Sequence, residues 1–251
     1  MEMVYIKVWA IAALAQIVAG CSAQKPVQNA REVQATGILA QLDKGKHVYL
    51  DSCIVWGDLD FTALRNRNRI SGNLVQVFAG QSVTFNGCTF MGKVKAFDPA
   101  AGICVEFMHN LSFTGCDFRK DADFTEAIVS GNAFFTGSVF RGKANWQGAY
   151  FRHKKTYFNE ARFEGEALFQ QAVFAGDANF MHTVFDSTAM FQKTGAGGLL
   201  FFGNARFNGY ADFTYAHAAE SIFKYAEFKG RYDFAYSQLN ADELRINSFK
   251  P

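Results

Sequence analysis

Large apolar side chains recur along this chain at a fixed beat. Phe107, Phe113, Phe118 and Phe124 open the series. Phe135, Phe140, Trp146, Phe151, Phe158, Phe163, Phe169, Phe174, Phe180, Phe185 and Phe191 continue it, and Phe202, Phe207, Phe213, Phe223, Phe228 and Phe234 extend it. Spacings alternate between 5 and 6, so the period is 11, with Val129, Ala196 and Ala218 filling gaps. A small residue precedes most centres by two positions: Ala167 before Phe169, Ala172 before Phe174, Ala178 before Phe180. A helix does not fit, because steps of 5 and 6 turn by roughly 140° and 240° and give no single apolar stripe. Gly142, Gly165, Gly176, Gly209 and Gly230 disfavour it further. Alternation is also too short for ordinary strands. The pattern predicts a solenoid, in which each short strand turns one small and one large side chain inward and then rounds a corner.

With four centres per coil, one predicted column reads Phe90, Phe118, Phe140, Phe163, Phe185, Phe207, Phe228 and Phe249. A second reads Phe61, Ala96, Phe124, Trp146, Phe169, Phe191, Phe213 and Phe234, and Val55 and Leu50 enter the same grid. Insertions interrupt it near 63–78 and 97–106, on one corner of consecutive coils. The first carries Arg65, Arg67 and Arg69 separated by Asn, the second Asp98, Pro99 and Gly102. Function concentrates where loops leave a rigid scaffold, so Arg65, Arg67 and Arg69 form a candidate interaction loop; a solvated loop without a specific role is the alternative. The basic stretch Arg152–Lys155 reads as a solvated bulge, with a contact surface as the alternative, and the Gly195–Gly198 stretch as a bulge that lacks the strand–loop–helix setting of a phosphate loop.

Several units, among them Ala122-Asp123-Phe124, Ala144-Asn145-Trp146, Ala178-Asn179-Phe180 and Ala211-Asp212-Phe213, resemble the pentapeptide-repeat family, whose unit is Ala-(Asp/Asn)-(Leu/Phe)-x-x. The resemblance covers roughly 48–249. It implies an all-β fold, a right-handed quadrilateral parallel β-helix of about 8–9 coils. The departure is an extra residue in every second unit, which makes 22 residues per coil rather than 20 and implies larger corners on two of four edges. Some members of the family mimic duplex DNA and bind gyrase.

The first residues read as an address. A short apolar run, broken at Gln16, ends in Val18-Ala19-Gly20-Cys21, which resembles a bacterial lipobox. It implies a signal peptide over 1–20, removed before a Cys21 that carries diacylglycerol; an ordinary cleaved signal or a short anchor are the alternatives. Residues 21–35 read as the lipidated Cys and a polar tether, 36–47 as an N-terminal cap and 240–251 as a closing cap. The expected location is the bacterial cell envelope, lipid-anchored and facing the periplasm. Ser22 after the Cys favours the outer over the inner membrane.

Composition narrows the function. Of 251 residues 49% are hydrophobic, 28 are Phe and 3 are Pro, which allows a large core and excludes a disordered chain. Twenty-five basic and 23 acidic residues leave a net charge of +2, which argues against a nucleic-acid-binding surface and against a DNA mimic. The five His form no metal or catalytic pattern, and neither a nucleophile elbow nor a phosphate loop is present. Asp123, Asp177 and Asp212 are expected to point outward as surface ladder residues. Cys53, Cys88 and Cys116 occupy the small inward position in consecutive coils, filling an Ala-like slot, with a Cys88–Cys116 disulfide as the alternative. Cys104 is the more reactive thiol if exposed. No metal, cofactor or catalytic residue is expected. The reading is a lipid-anchored, non-enzymatic scaffold that contacts the membrane through Cys21 and an envelope protein through the insertion corner or a flat face. The alternatives are an envelope carbohydrate-binding β-helix and, disfavoured by charge and export, a gyrase-binding protein. Alignment of the off-grid aromatics Phe134, Tyr150, Tyr157, Phe201, Tyr215 and Tyr225 would favour carbohydrate binding.

Overall fold

A computed structural model describes residues 30–240 and 245–246; residues from Arg31 on form one compact unit. Its strands stack into parallel sheets and coil into a parallel β-helix with four faces. Face I is a 10-stranded sheet and face II an 8-stranded one; faces III and IV belong to a 15-stranded sheet. Faces III and IV join because the strands Gly195–Phe201 and His217–Ile222 run from one to the other. In the first of these the register shifts between Ala196 and Leu199, so the Gly195–Gly198 stretch is a bulge.

Inward side chains explain the period. On face I Phe118 pairs with Phe140, Phe140 with Phe163 and Phe163 with Phe185, so identical rings stack coil on coil. Phe140 and Phe163 lie 4.9 Å apart at 6°, and Phe163 and Phe185 5.0 Å apart at 3°. That spacing is the strand-to-strand distance of a sheet, about 4.8 Å. Across the interior, rings of different faces meet edge-on, as Phe169 and Phe180 do at 5.2 Å and 87°. Each such contact adds about 0.5–1.5 kcal/mol beyond area burial. The column ends differently from expectation: Ile246, not Phe249, pairs with Phe228. Phe249 lies outside the described residues.

Two kinds of corner account for the 5 and 6 spacing. The five-residue corners hold a left-handed residue, such as Glu160 (φ 61°), His182 (57°), Asn204 (56°) and Tyr225 (60°) in one column. After the first coil, where Gly57 has φ 81°, the six-residue corners stay out of that region, and there successive backbones touch. A Cβ on Gly165 would lie 2.3 Å from the Gly142 carbonyl oxygen, and one on Gly230 2.1 Å from that of Gly209. Polar small residues inside are satisfied by the coil before: the hydroxyls of Thr183 and Thr194 donate to the Phe158 and Phe169 carbonyls at 2.8 and 2.7 Å.

The amino-terminal end is closed by three elements. Strand β1 (Arg31–Gln34) pairs in parallel with β3 (Cys53–Trp56), extending face I. Residues 31–34 are therefore not tether; one apolar residue, Val33, packs on the core, too little to show in the pattern. Helix α1 (Ala35–Asp43) buries Ala35, Ile38 and Leu42 and packs against β2 (Val48–Asp51) and β4 (Leu59–Asp60). The first insertion is no loose loop. It folds into an antiparallel hairpin of β5 (Arg67–Ser71) and β6 (Leu74–Ala79), with β5 as the outermost strand of its sheet. The second insertion is a smaller hairpin, Phe97 opposite Cys104, whose returning strand continues in parallel register on β6.

Candidate functional site

The three arginines of the first insertion have different tasks. Arg67 turns back on the chain: its guanidinium donates to the Leu64 carbonyl at 2.6 Å and to the Thr62 carbonyl at 3.2 Å. It thereby satisfies the turn that launches the hairpin. Arg65 ties the insertion to α1, its amide donating to the Asp43 carboxylate at 2.8 Å and its side chain, 89% exposed, standing 3.6 Å from the same group. Arg69 is exposed on β5. Because Asp43 is followed by exposed Lys44 and Lys46, the Arg65 contact gathers a basic end surface. Exposed apolar residues belong to the same coil: Tyr49, Trp56, and Ile70 and Leu74 beside the hairpin turn. Lys44, Lys46 and these apolar residues escaped the sequence reading. The available signal was their position off the inward grid. Cys21 lies outside the described residues.

The cysteines are structural. Cys53, Cys88, Cys104 and Cys116 are all free and buried. The pairing of Ile54 with Thr89 and of Thr89 with Asp117 stacks the preceding Cys53, Cys88 and Cys116 in register, yet they form no disulfide. Their thiols donate instead to nearby carbonyls, that of Cys116 to Phe85 O at 3.5 Å. Burial pushes the Cys88 thiol up to about 11 and raises Cys116 as well. Cys104 is not the reactive thiol its place in an insertion suggested. It lies on the returning strand, between Phe97 of the outgoing strand and Gln76 of β6, and burial, with Glu126 nearby, raises its pKa.

Outward side chains form ladders. On face I opposite charges of successive coils pair. Arg141 pairs with Asp117 at 2.8 Å and Glu164 at 3.1 Å, and Arg162 with Asp186 at 2.7 Å. On face IV buried Glu106 accepts from Gln76 at 2.7 Å, Ser130 at 2.7 Å and Arg152 at 2.5 Å. Arg152 is thus committed to Glu106 by a bond that spans 46 residues of sequence, while His153, Lys154 and Lys155 are exposed. Asp123 caps its own turn through Thr125, as a surface ladder residue would. Asp212, expected at the surface, is 4% exposed, because Gln192, Tyr210 and the Thr214 amide converge on it.

The off-grid aromatics divide. Phe134, Tyr157 and Phe201 share one ladder of face III, with Asn179 between the last two. Tyr150 stands on face IV, and Tyr215 and Tyr225 sit at left-handed corners. Depressions on the surface are shallow and polar. One of about 260 Å³ is lined by Gln170, Gln171, Gln192, Lys193, Thr214 and Tyr215. Another, of about 230 Å³, lies between His182, Asn204, Arg206, Tyr225 and Glu227. Among the described residues no cluster of ligating side chains could hold a metal, and no helix is long and apolar enough to cross a membrane.

Stacked four-sided coils with a small and a large inward residue per strand define a parallel β-helix solenoid. Residues 143–195 match the family model described as Pentapeptide repeats (9 copies). No curated protein matches the chain. The repeat class suggests a protein-interaction scaffold and is typically non-catalytic.

Proposed function

We propose that the protein is a lipid-anchored, non-enzymatic scaffold of the bacterial cell envelope, held by diacylglycerol on Cys21 and facing the periplasm. The observation that carries the scaffold reading is the uninterrupted stack of eight strands on face II, which supports flat, rigid outer faces but only shallow, polar depressions. Catalysis needs converging groups in a sheltered cleft, and the two depressions described above, among the described residues, are shallow and polar. The lipobox-like Val18-Ala19-Gly20-Cys21 supports the anchoring. The arginines paired with the carboxylates of face I weigh against a DNA mimic, which needs a continuous acidic stripe. In-cell crosslinking of the full chain beside its Cys21→Ser variant tests the proposal. A discrete envelope partner, captured only when the chain is anchored, supports it. Saturable turnover of an envelope polymer overturns it.

The aligned Phe134, Tyr157 and Phe201 favour a second reading, carbohydrate binding along face III. Titration with envelope glycan oligomers decides it: binding lost in Tyr157→Ala supports it, and absence of binding removes it.

A further inference from the structure

We infer that the amino-terminal end of the solenoid is a membrane-contacting foot that fits an anionic phospholipid surface. The end surface holds five cations, Lys44, Lys46, Arg65, Arg67 and Arg69, against the carboxylates of Asp43, which Arg65 holds, and Asp51. Arg31 and Glu32 of β1 cancel one another. Other carboxylates of the first coil are turned towards the second: Asp58 accepts from the Lys93 amide at 2.8 Å, and Asp60 stands 3.7 Å from Lys95. Asp51 remains exposed beside Ser52.

Apolar side chains accompany this charge. Ile70 and Leu74 flank the tip of the outermost hairpin at 53% and 39% exposure, next to Arg69. Tyr49 and Trp56, 68% and 39% exposed, stand on the faces of the same coil. Basic residues attract anionic headgroups, while Trp, Tyr and aliphatic tips settle at the headgroup boundary. On an aqueous surface Ile70 is a liability, since it stands exposed on β5, the free edge of its sheet.

Chain length agrees. The orientation rests on the anchoring proposed above. If Cys21 is lipidated, the ten residues to Arg31 reach at most about 35 Å, so the end that β1 enters is the end held near the bilayer.

Flotation of the mature chain, residues 21–251 with Cys21→Ser and so without signal or lipid, tests the contact with vesicles. One set is phosphatidylcholine alone, the other two parts phosphatidylcholine to one part phosphatidylglycerol. The anionic vesicles should bind at least about tenfold more tightly, and raised salt should abolish the difference. Reversing Lys44, Lys46, Arg65 and Arg69 to Glu should abolish it too, and Ile70→Ser with Leu74→Ser should weaken binding to the anionic vesicles. Should the reversal fail to fold, Lys44→Gln, Lys46→Gln and Arg69→Gln leave every contact of Arg65 and Arg67 intact and should lower the preference severalfold. Equal binding to both vesicles, or a preference that survives these substitutions, overturns the inference. The anchoring reading fails separately: wild-type protein recovered from membranes would then show no lipid mass on Cys21, whatever the vesicles report.

Discussion

Glycine has two unrelated duties here. Gly137 and Gly148 occupy left-handed corners, with φ of 64° and 65°. Later coils place Glu, Gln, His, Lys, Asn and Tyr at equivalent corners, so that slot tolerates side chains at a conformational cost of about 1–2 kcal/mol. Gly142, Gly165 and Gly230 instead lie where one backbone passes over another, and a Cβ has no room. Gly165→Ala should therefore lower unfolding free energy by about 1–3 kcal/mol in urea melts. Gly148→Asn should shift it by less, since Asn204 already adopts this conformation in the other corner column. A similar loss in both variants would mean that corner conformation, not interbackbone contact, fixes these glycines.

Among the elements, the first hairpin decides how the repeat begins. A solenoid coil buries its end only against another coil or a cap. Here β1, α1 and β5 cover the first coil, and β5 gives β6 the partner that no preceding coil supplies. Arg67 fixes the hairpin by bonding two carbonyls of the turn before it. Arg67→Ala should cost about 1 kcal/mol globally. Its larger effect should be local: amides of residues 67–79 should exchange faster while those of the central coils do not. Arg67→Lys should rescue little, because an ammonium lacks the planar fork that serves both carbonyls. Unchanged exchange in the hairpin would show that β5 is held by its strand pairing alone.

The whole molecule behaves as a stack, each coil meeting its neighbours. Removal of residues 164–185, one complete coil from after Phe163 through Phe185, brings Asp186 behind Phe163 and keeps every face and corner type in register. That deletion should leave a folded protein with a parallel-β circular dichroism spectrum and a lower melting temperature. Removal of residues 159–163 alone should not fold. It sets close-contact corners over left-handed ones and moves all later columns by one face. Equal folding of both deletions would contradict a stack of registered corners.

The beat of Phe and small residues was enough to establish the four-sided β-helix and most of its columns. An inward side chain stacks on its equivalent one coil away, so the core is a periodic property of the sequence. The bulge at Gly195–Gly198 was legible for the same reason, as a break in that period. What the period does not carry, the chain alone could not show. Val33 and Ile246 pair with coils at the two ends, where no further repeat gives them a phase. Glu106 meets Arg152 only because two coils of helix separate them, and Cys104 is buried where its strand lies between Phe97 and Gln76 in the sheet. Arg65, Arg67 and Arg69 stood out as a basic run in the sequence. That one clamps a turn, one joins a helix and one faces outward beside Ile70 was decided by tertiary contacts, since caps are made of unique, non-repeating neighbours.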